Sequence, residues 1–141
     1  MTVDVRTGEE NKALVRRAIA HNHGAVDEAS EIFADDFVGY MPSQPPMDRL
    51  AMEHFIGDFA AGFPGYTYEI QDQIAQGDTV FNRITWWGVH SGEFAGVPAT
   101  SRPIELRGIN LFKVKDGRVI EQRAELDMFG LLQQIGAVPP A

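Results

Sequence analysis

At Tyr66 the spacing of apolar residues changes from helical to alternating, and this switch limits the folds open to the chain. Before it, apolar residues recur every three or four positions. After it, Tyr66, Tyr68, Ile70 and Ile74 alternate with Thr67, Glu69, Gln71 and Gln73, the period of a strand with one covered face. Helices first and strands later make an α+β fold, with helices gathered on one face of a mainly antiparallel sheet. A chain of 141 residues suits a single domain spanning 1–141.

Thr7 followed by Glu10 forms a capping box, so a first helix starts at Gly8 or Glu9. Leu14, Val15, Ala18 and Ile19 give it one apolar stripe, and Gly24 stops it. Val26, Ala29, Ile32 and Phe33 predict a second short helix ending at Asp35 and Asp36. Residues 37–41 read as a strand, and 48–61 as a third helix with Met52, Phe55, Ile56 and Phe59 on one side. Gly77-Asp78 turns the chain into a strand over 80–90, and Asp116-Gly117 marks a hairpin between strands at 104–115 and 118–128. A short helix or turn over 130–135 precedes a Pro139-Pro140 tail.

Composition removes several function classes. The formal net charge is -8, with a sequence pI near 4.8 and no run of Lys or Arg. Such a surface repels phosphate backbones, so no nucleic-acid partner is expected. The absence of cysteine excludes disulfides and thiolate chemistry. No apolar run reaches membrane-spanning length, and residues 1–10 lack a signal-type apolar core, so a cytoplasmic protein with no membrane partner is expected. There is no phosphate-cradling loop, nucleophile elbow or dinucleotide fingerprint. Any catalysis is therefore expected to need no cofactor. His21 and His23 stand two apart and cannot share a helix face, so no metal site is expected there.

The second half carries a recognisable succession. Trp86-Trp87-Gly88-Val89-His90-Ser91-Gly92-Glu93-Phe94 leads into Gly96-Val97-Pro98-Ala99-Thr100. Arg107-Gly108-Ile109-Asn110-Leu111-Phe112 and Asp116-Gly117-Arg118-Val119 follow, then Leu126-Asp127-Met128-Phe129-Gly130-Leu131-Leu132-Gln133-Gln134-Ile135-Gly136. This order resembles the SnoaL-like polyketide cyclases, a branch of the nuclear transport factor 2-like superfamily. The resemblance implies a cone-shaped barrel, with a curved sheet wrapped around N-terminal helices and a central pocket. It also implies that Asp127 is the acid/base of an intramolecular aldol ring closure, moving a proton from an activated carbon to a ketone oxygen. His90, in a Gly-x-His-x-Gly-like setting, becomes a secondary proton carrier, and Tyr40 a polar pocket residue.

The residues themselves leave alternatives open. Asp127 precedes a short apolar helix, and the residues alone favour its capping that helix. His90 at a strand end also suits a structural role. Asn110, between Ile109 and Leu111, can hold a carbonyl or enolate oxygen, helped by Arg107, or bond a neighbouring backbone. Trp86 or Trp87 would pave a cavity for a flat substrate, the other packing in the core. Arg123 and Glu125 share a strand face with Glu121 and Asp127 and stand where the family has apolar groups. They imply a polar pocket or a pair at its mouth. The strand at 80–90 carries large groups on both faces, Phe81 and Trp87 against Ile84 and Trp86. One face covers the cavity; the other suits a partner subunit, so a homodimer is expected.

Three functions compete. The first is a cofactor-independent cyclase or isomerase acting on a hydrophobic, polyketide-like carbonyl substrate, with related cofactor-free hydroxylation inseparable from it. The second is an epoxide hydrolase or cyclase using Arg83, although its expected aspartate partner is Thr85 here. The third is a small-molecule binding protein without chemistry.

Overall fold

The computed structural model describes residues 7–24 and 29–139. Helix α1 (Gly8–Asn22) starts at the expected box: Glu10 N–H donates to the Thr7 hydroxyl at 3.1 Å, and Thr7 N–H to the Glu10 carboxylate at 3.4 Å. Its stripe of Leu14, Val15, Ala18 and Ile19 is buried. Each large apolar side chain so covered contributes roughly 1.5–3 kcal/mol. The helix packs across the sheet against three of its strands.

The next segment departs from the expectation. Helix α2 (Ala29–Ile32) is a single turn, and strand β1 (Phe33–Tyr40) follows at once. Val26 lies outside the described residues. The helix stops at Ile32 because residue 33 finds a backbone partner: Phe33 lies beside Val119 in parallel register. Its ring meets Phe37 edge-on, with centroids 5.2 Å apart. Helix α3 (Arg49–Gly62) begins as expected, capped by Asp48, which accepts Ala51 N–H at 2.9 Å.

Strands β2 (Thr67–Gln76), β3 (Thr79–Val89), β4 (Pro103–Lys115) and β5 (Arg118–Leu126) complete one sheet of order β1-β5-β4-β3-β2. All neighbours are antiparallel except β1 and β5. The architecture is the expected α+β wrap, as a curved five-stranded sheet that stays open. Strand β5 ends at Leu126, short of Met128, because Asp127 turns the chain into helix α4 (Met128–Gln134).

Alternation divides the sheet. Val80, Asn82, Ile84 and Trp86 of β3 are buried inward, while Phe81, Arg83 and Trp87 face out. On the outer face Ile74, Phe81 and Ile109 remain 64%, 47% and 54% exposed.

The loop joining β3 to β4 is fixed to the end of α3 by a close backbone approach. Gly92 N–H donates to Gly62 O at 3.1 Å. A Cβ on Gly92 would stand 2.0 Å from the Ala61 carbonyl oxygen, and one on Gly62 2.7 Å from Phe94 Cβ. Gly92→Ala therefore lowers stability by about 1–3 kcal/mol, seen as a fall of several degrees in thermal unfolding. Gly57→Ala, also on α3, meets nothing within 4 Å and should stabilise by up to ~1 kcal/mol. Equal melting of the two variants would contradict this close approach.

Candidate active site

Between the inner sheet face and the helices lies a cavity of about 530 Å³. Most of its wall is apolar: Phe55 and Phe59 from α3, Phe94 from the β3–β4 loop, Trp86, Leu106 and Leu126 from the sheet. Strand alternation explains the sheet contribution, because Gln122, Ala124 and Leu126 of β5 and Leu106 and Asn110 of β4 share the inner face. A smaller recess of about 360 Å³ shares Asn22, His23 and Ile56 with it, and Arg49 lines that recess.

Polar groups enter this apolar chamber in partnered sets. Asn110, 5% exposed, accepts Asn82 Nδ2 on its Oδ1 at 2.9 Å, leaving its own amide N–H groups for the cavity. Gln122, also 5% exposed, accepts Asn22 Nδ2 on Oε1 at 3.3 Å. Arg49 Nη1 donates to Asn22 Oδ1 at 3.3 Å, with its guanidinium carbon 3.8 Å from the Phe33 ring centre. Two carboxylates, Asp58 and Glu93, line the cavity from exposed positions on α3 and the β3–β4 loop.

His23, just past α1, is the titratable group most altered by this setting. Trp86 Nε1 donates to its Nε2 at 3.1 Å, and its Nδ1 bonds the Tyr66 hydroxyl. An indole N–H only donates, so Nε2 is the bare nitrogen and Nδ1 carries the hydrogen. Burial pushes the His23 pKa down to about 4, and pushes Tyr66 up to about 12 with help from Tyr68. His23 is therefore neutral at neutral pH, with both nitrogens occupied.

The structure gathers only some of the sequence candidates. Trp86 and Asn110 line the cavity. Arg83, Arg107, Arg123 and Glu125 are exposed on the outer sheet face, contrary to the substrate-binding expectation. Arg83 binds Asp72 at 2.6 Å and Gln71 at 2.9 Å; Arg123 pairs with Glu121 at 2.9 Å and lies 3.9 Å over the Tyr40 ring. Tyr40 thereby belongs to the outer cluster. The alternation that brings Gln122 and Ala124 inward sends these charges outward.

His90 is fully buried away from the cavity. Its Nδ1 stands 2.9 Å from Thr100 Oγ1, and its backbone carbonyl accepts Thr100 and Ser101 N–H groups. It holds the ends of the β3–β4 loop together. Asp127 is exposed and caps α4, accepting Gly130 N–H at 2.9 Å. Its neighbours Leu126 and Met128 line the cavity, but its carboxylate does not.

Sequence reasoning passed over Asn22, His23 and Gln122. Gln122 was detectable: it sits between Glu121 and Arg123, in step with the apolar Ala124 and Leu126. His23 gave no such signal, since its partners Tyr66 and Trp86 are far away in sequence. Among the described residues no three His, Asp or Glu side chains stand together as metal ligands, and no helix is long and apolar enough to cross a membrane.

Residues 12–135 match the SnoaL-like polyketide cyclase family. The chain belongs to that family. Among its relatives is the aklanonic acid methyl ester cyclase DauD of Streptomyces sp. (strain C5), 25% identical over 134 residues, covering 87% of this chain and 80% of DauD. The hydroxylase candidate AclR of Streptomyces galilaeus superposes with a TM-score of 0.84 at 26% identity, over 96% of this chain and 86% of AclR. The polyketide-cyclase candidate IdmH of Streptomyces antibioticus gives 0.76 at 31% identity, over 93% and 99%.

For this SnoaL-like protein the His23 environment yields a pH prediction. A histidine whose folded pKa lies below its unfolded value of 6.5 contributes stability in full above pH 6.5. That contribution disappears as the pH falls toward 4. Urea unfolding from pH 7.5 to 4 should show wild type losing roughly 3 kcal/mol more than His23→Gln over this window. Parallel curves for the two proteins would contradict a buried neutral imidazole.

Proposed function

We propose that the protein is a cofactor-free cyclase closing a ring by intramolecular aldol addition within a hydrophobic polyketide-like carbonyl compound. The observation that carries this reading is an apolar chamber with amide donors on its sheet floor, in a chain of the SnoaL-like family. A proton leaves a carbon flanked by two carbonyls, the resulting enolate carbon bonds to a ketone carbon, and the new alkoxide oxygen takes up a proton. Nothing is gained or lost overall. Asn110 Nδ2 donates to the oxygen that gains charge.

The proton carrier in this proposal is Asp127, supported by its place inside the stretch matched to the family and by its two chamber-lining neighbours. The carboxylate must leave Gly130 N–H to act. That step costs about 1 kcal/mol, small against the 3–5 kcal/mol that general acid/base catalysis supplies. With aklanonic acid methyl ester as trial substrate, Asp127→Asn should lower kcat about 10²–10⁴-fold and leave binding intact. If Asp58→Asn or Glu93→Gln abolishes turnover while Asp127→Asn does not, the carrier sits at the cavity mouth instead.

Similarity to AclR, a hydroxylase candidate, supports hydroxylation as a second reading. Mass spectrometry separates the two, because ring closure leaves the product mass unchanged and hydroxylation adds an oxygen. An epoxide-opening reading has lost its arginine, since Arg83 is bound to Asp72 on the outer face. The proposal also includes a homodimer through that face, where Phe81 stands opposite Ile74 and Leu111 on the flanking strands. Phe81→Glu should shift the sedimenting species from dimer to monomer; an unchanged species would remove this face from the interface.

A further inference from the structure

The amide of Gln122 lies at the end of a chain of hydrogen bonds whose direction is set by a charge. A guanidinium has donors only, so Arg49 Nη1 can approach Asn22 only at its Oδ1, as it does at 3.3 Å. Asn22 is thereby left with Nδ2 to offer, and this donates to Gln122 Oε1 at 3.3 Å. Gln122 is left in turn with Nε2, which has no partner among the described residues. Its side chain lines the chamber and is 5% exposed. The Asn82–Asn110 pair differs, because no charged group anchors its bond.

From this geometry we infer that Gln122 Nε2 is a permanent donor for an anionic or carbonyl oxygen of the bound molecule, polarised by Arg49 through Asn22. This rests on reading the chamber as the site of a carbonyl or phenolic compound. Gln122 touches that oxygen; Arg49 and Asn22 are positioning residues. Hydrogen bonds in sequence polarise one another inside a low-dielectric medium, and the source of this polarisation is half-buried. Arg49 sits over Phe33, its side chain 18% exposed, with Glu53 3.5 Å from Nη2. The chamber should therefore favour the ionised form of a flat phenolic ketone over the neutral one.

The test uses 1,8-dihydroxyanthraquinone as probe, since its phenol absorbs differently when ionised. Wild type should bind it and lower the pH of its ionisation by about one unit, a tenfold shift in the proton equilibrium. Gln122→Met fills the space without a donor and should abolish the shift. Asn22→Asp keeps the volume and the bond to Arg49 but cannot donate to Gln122, which must then present its oxygen to the chamber. It should abolish or reverse the shift, while in the Gln122→Met background the same substitution adds little beyond its own charge. Arg49→Lys, which keeps a donor for Asn22, should restore much of what Arg49→Met loses.

An unshifted probe in wild type, whether bound or not, would overturn the inference. So would an equal effect of Asn22→Asp with and without Gln122. Turnover does not enter this readout. A protein that shifts the probe but converts no substrate upholds the relay and removes the cyclase reading, whereas a working cyclase without the shift does the reverse.

Discussion

An amide buried among hydrocarbon is costly unless its oxygen and its hydrogens are all placed, and the inner sheet face of this protein carries three. Asn82, Asn110 and Gln122 lie on β3, β4 and β5 among Val80, Ile84, Leu106 and Phe112. Each oxygen that accepts a bond frees an N–H group to face the cavity. The polar floor of the chamber is thus made by amides held in bonded pairs, at the cost of an Asn82 Oδ1 that stays buried without a partner among the described residues. Rigid strands hold that floor, whereas helices and a loop provide the apolar walls above it.

The same two-residue alternation decides how far the sequence could be read. The switch of period at Tyr66, the Thr7 box and the Asp116-Gly117 hairpin are local signals, and each element they announce is present. Side-chain direction at strand ends is not local. Arg123 and Glu125 resembled pocket residues only while the face of β5 was undecided, and Gln122 settles it by standing between two charged neighbours that point outward. Asp127 falls where the strand gives way to a helix, so alternation no longer applies and the Gly130 N–H claims its carboxylate. Phe33 was read as helical because four apolar residues matched that spacing, whereas the partner that makes it a strand is Val119.

His23 and Arg49 show why pairwise sequence reasoning missed part of the site. Two apart from His21 on a helix end, His23 looked like a metal ligand without company. In the fold it is a neutral hydrogen-bonded plug between Trp86 and Tyr66, next to the Asn22 that links Arg49 to the chamber. Asn22 and His23, neighbours at the end of α1, thus take different partners, which only the packing of α1 against the sheet and α3 brings within reach.

The parallel pairing of β1 with β5 has a consequence for biosynthesis. Among the described residues strand β1 lies at the sheet edge with β5 as its sole strand neighbour, so Phe33 and Phe37 leave the ribosome long before Val119 exists to pair with their segment. Until then these rings have helices but no finished sheet to cover them, and the meander β2-β3-β4 can assemble without them. Closure of the N-terminal strand is then a late, long-range event of the kind that slows folding, which makes the nascent chain most vulnerable to aggregation just before its last strand appears.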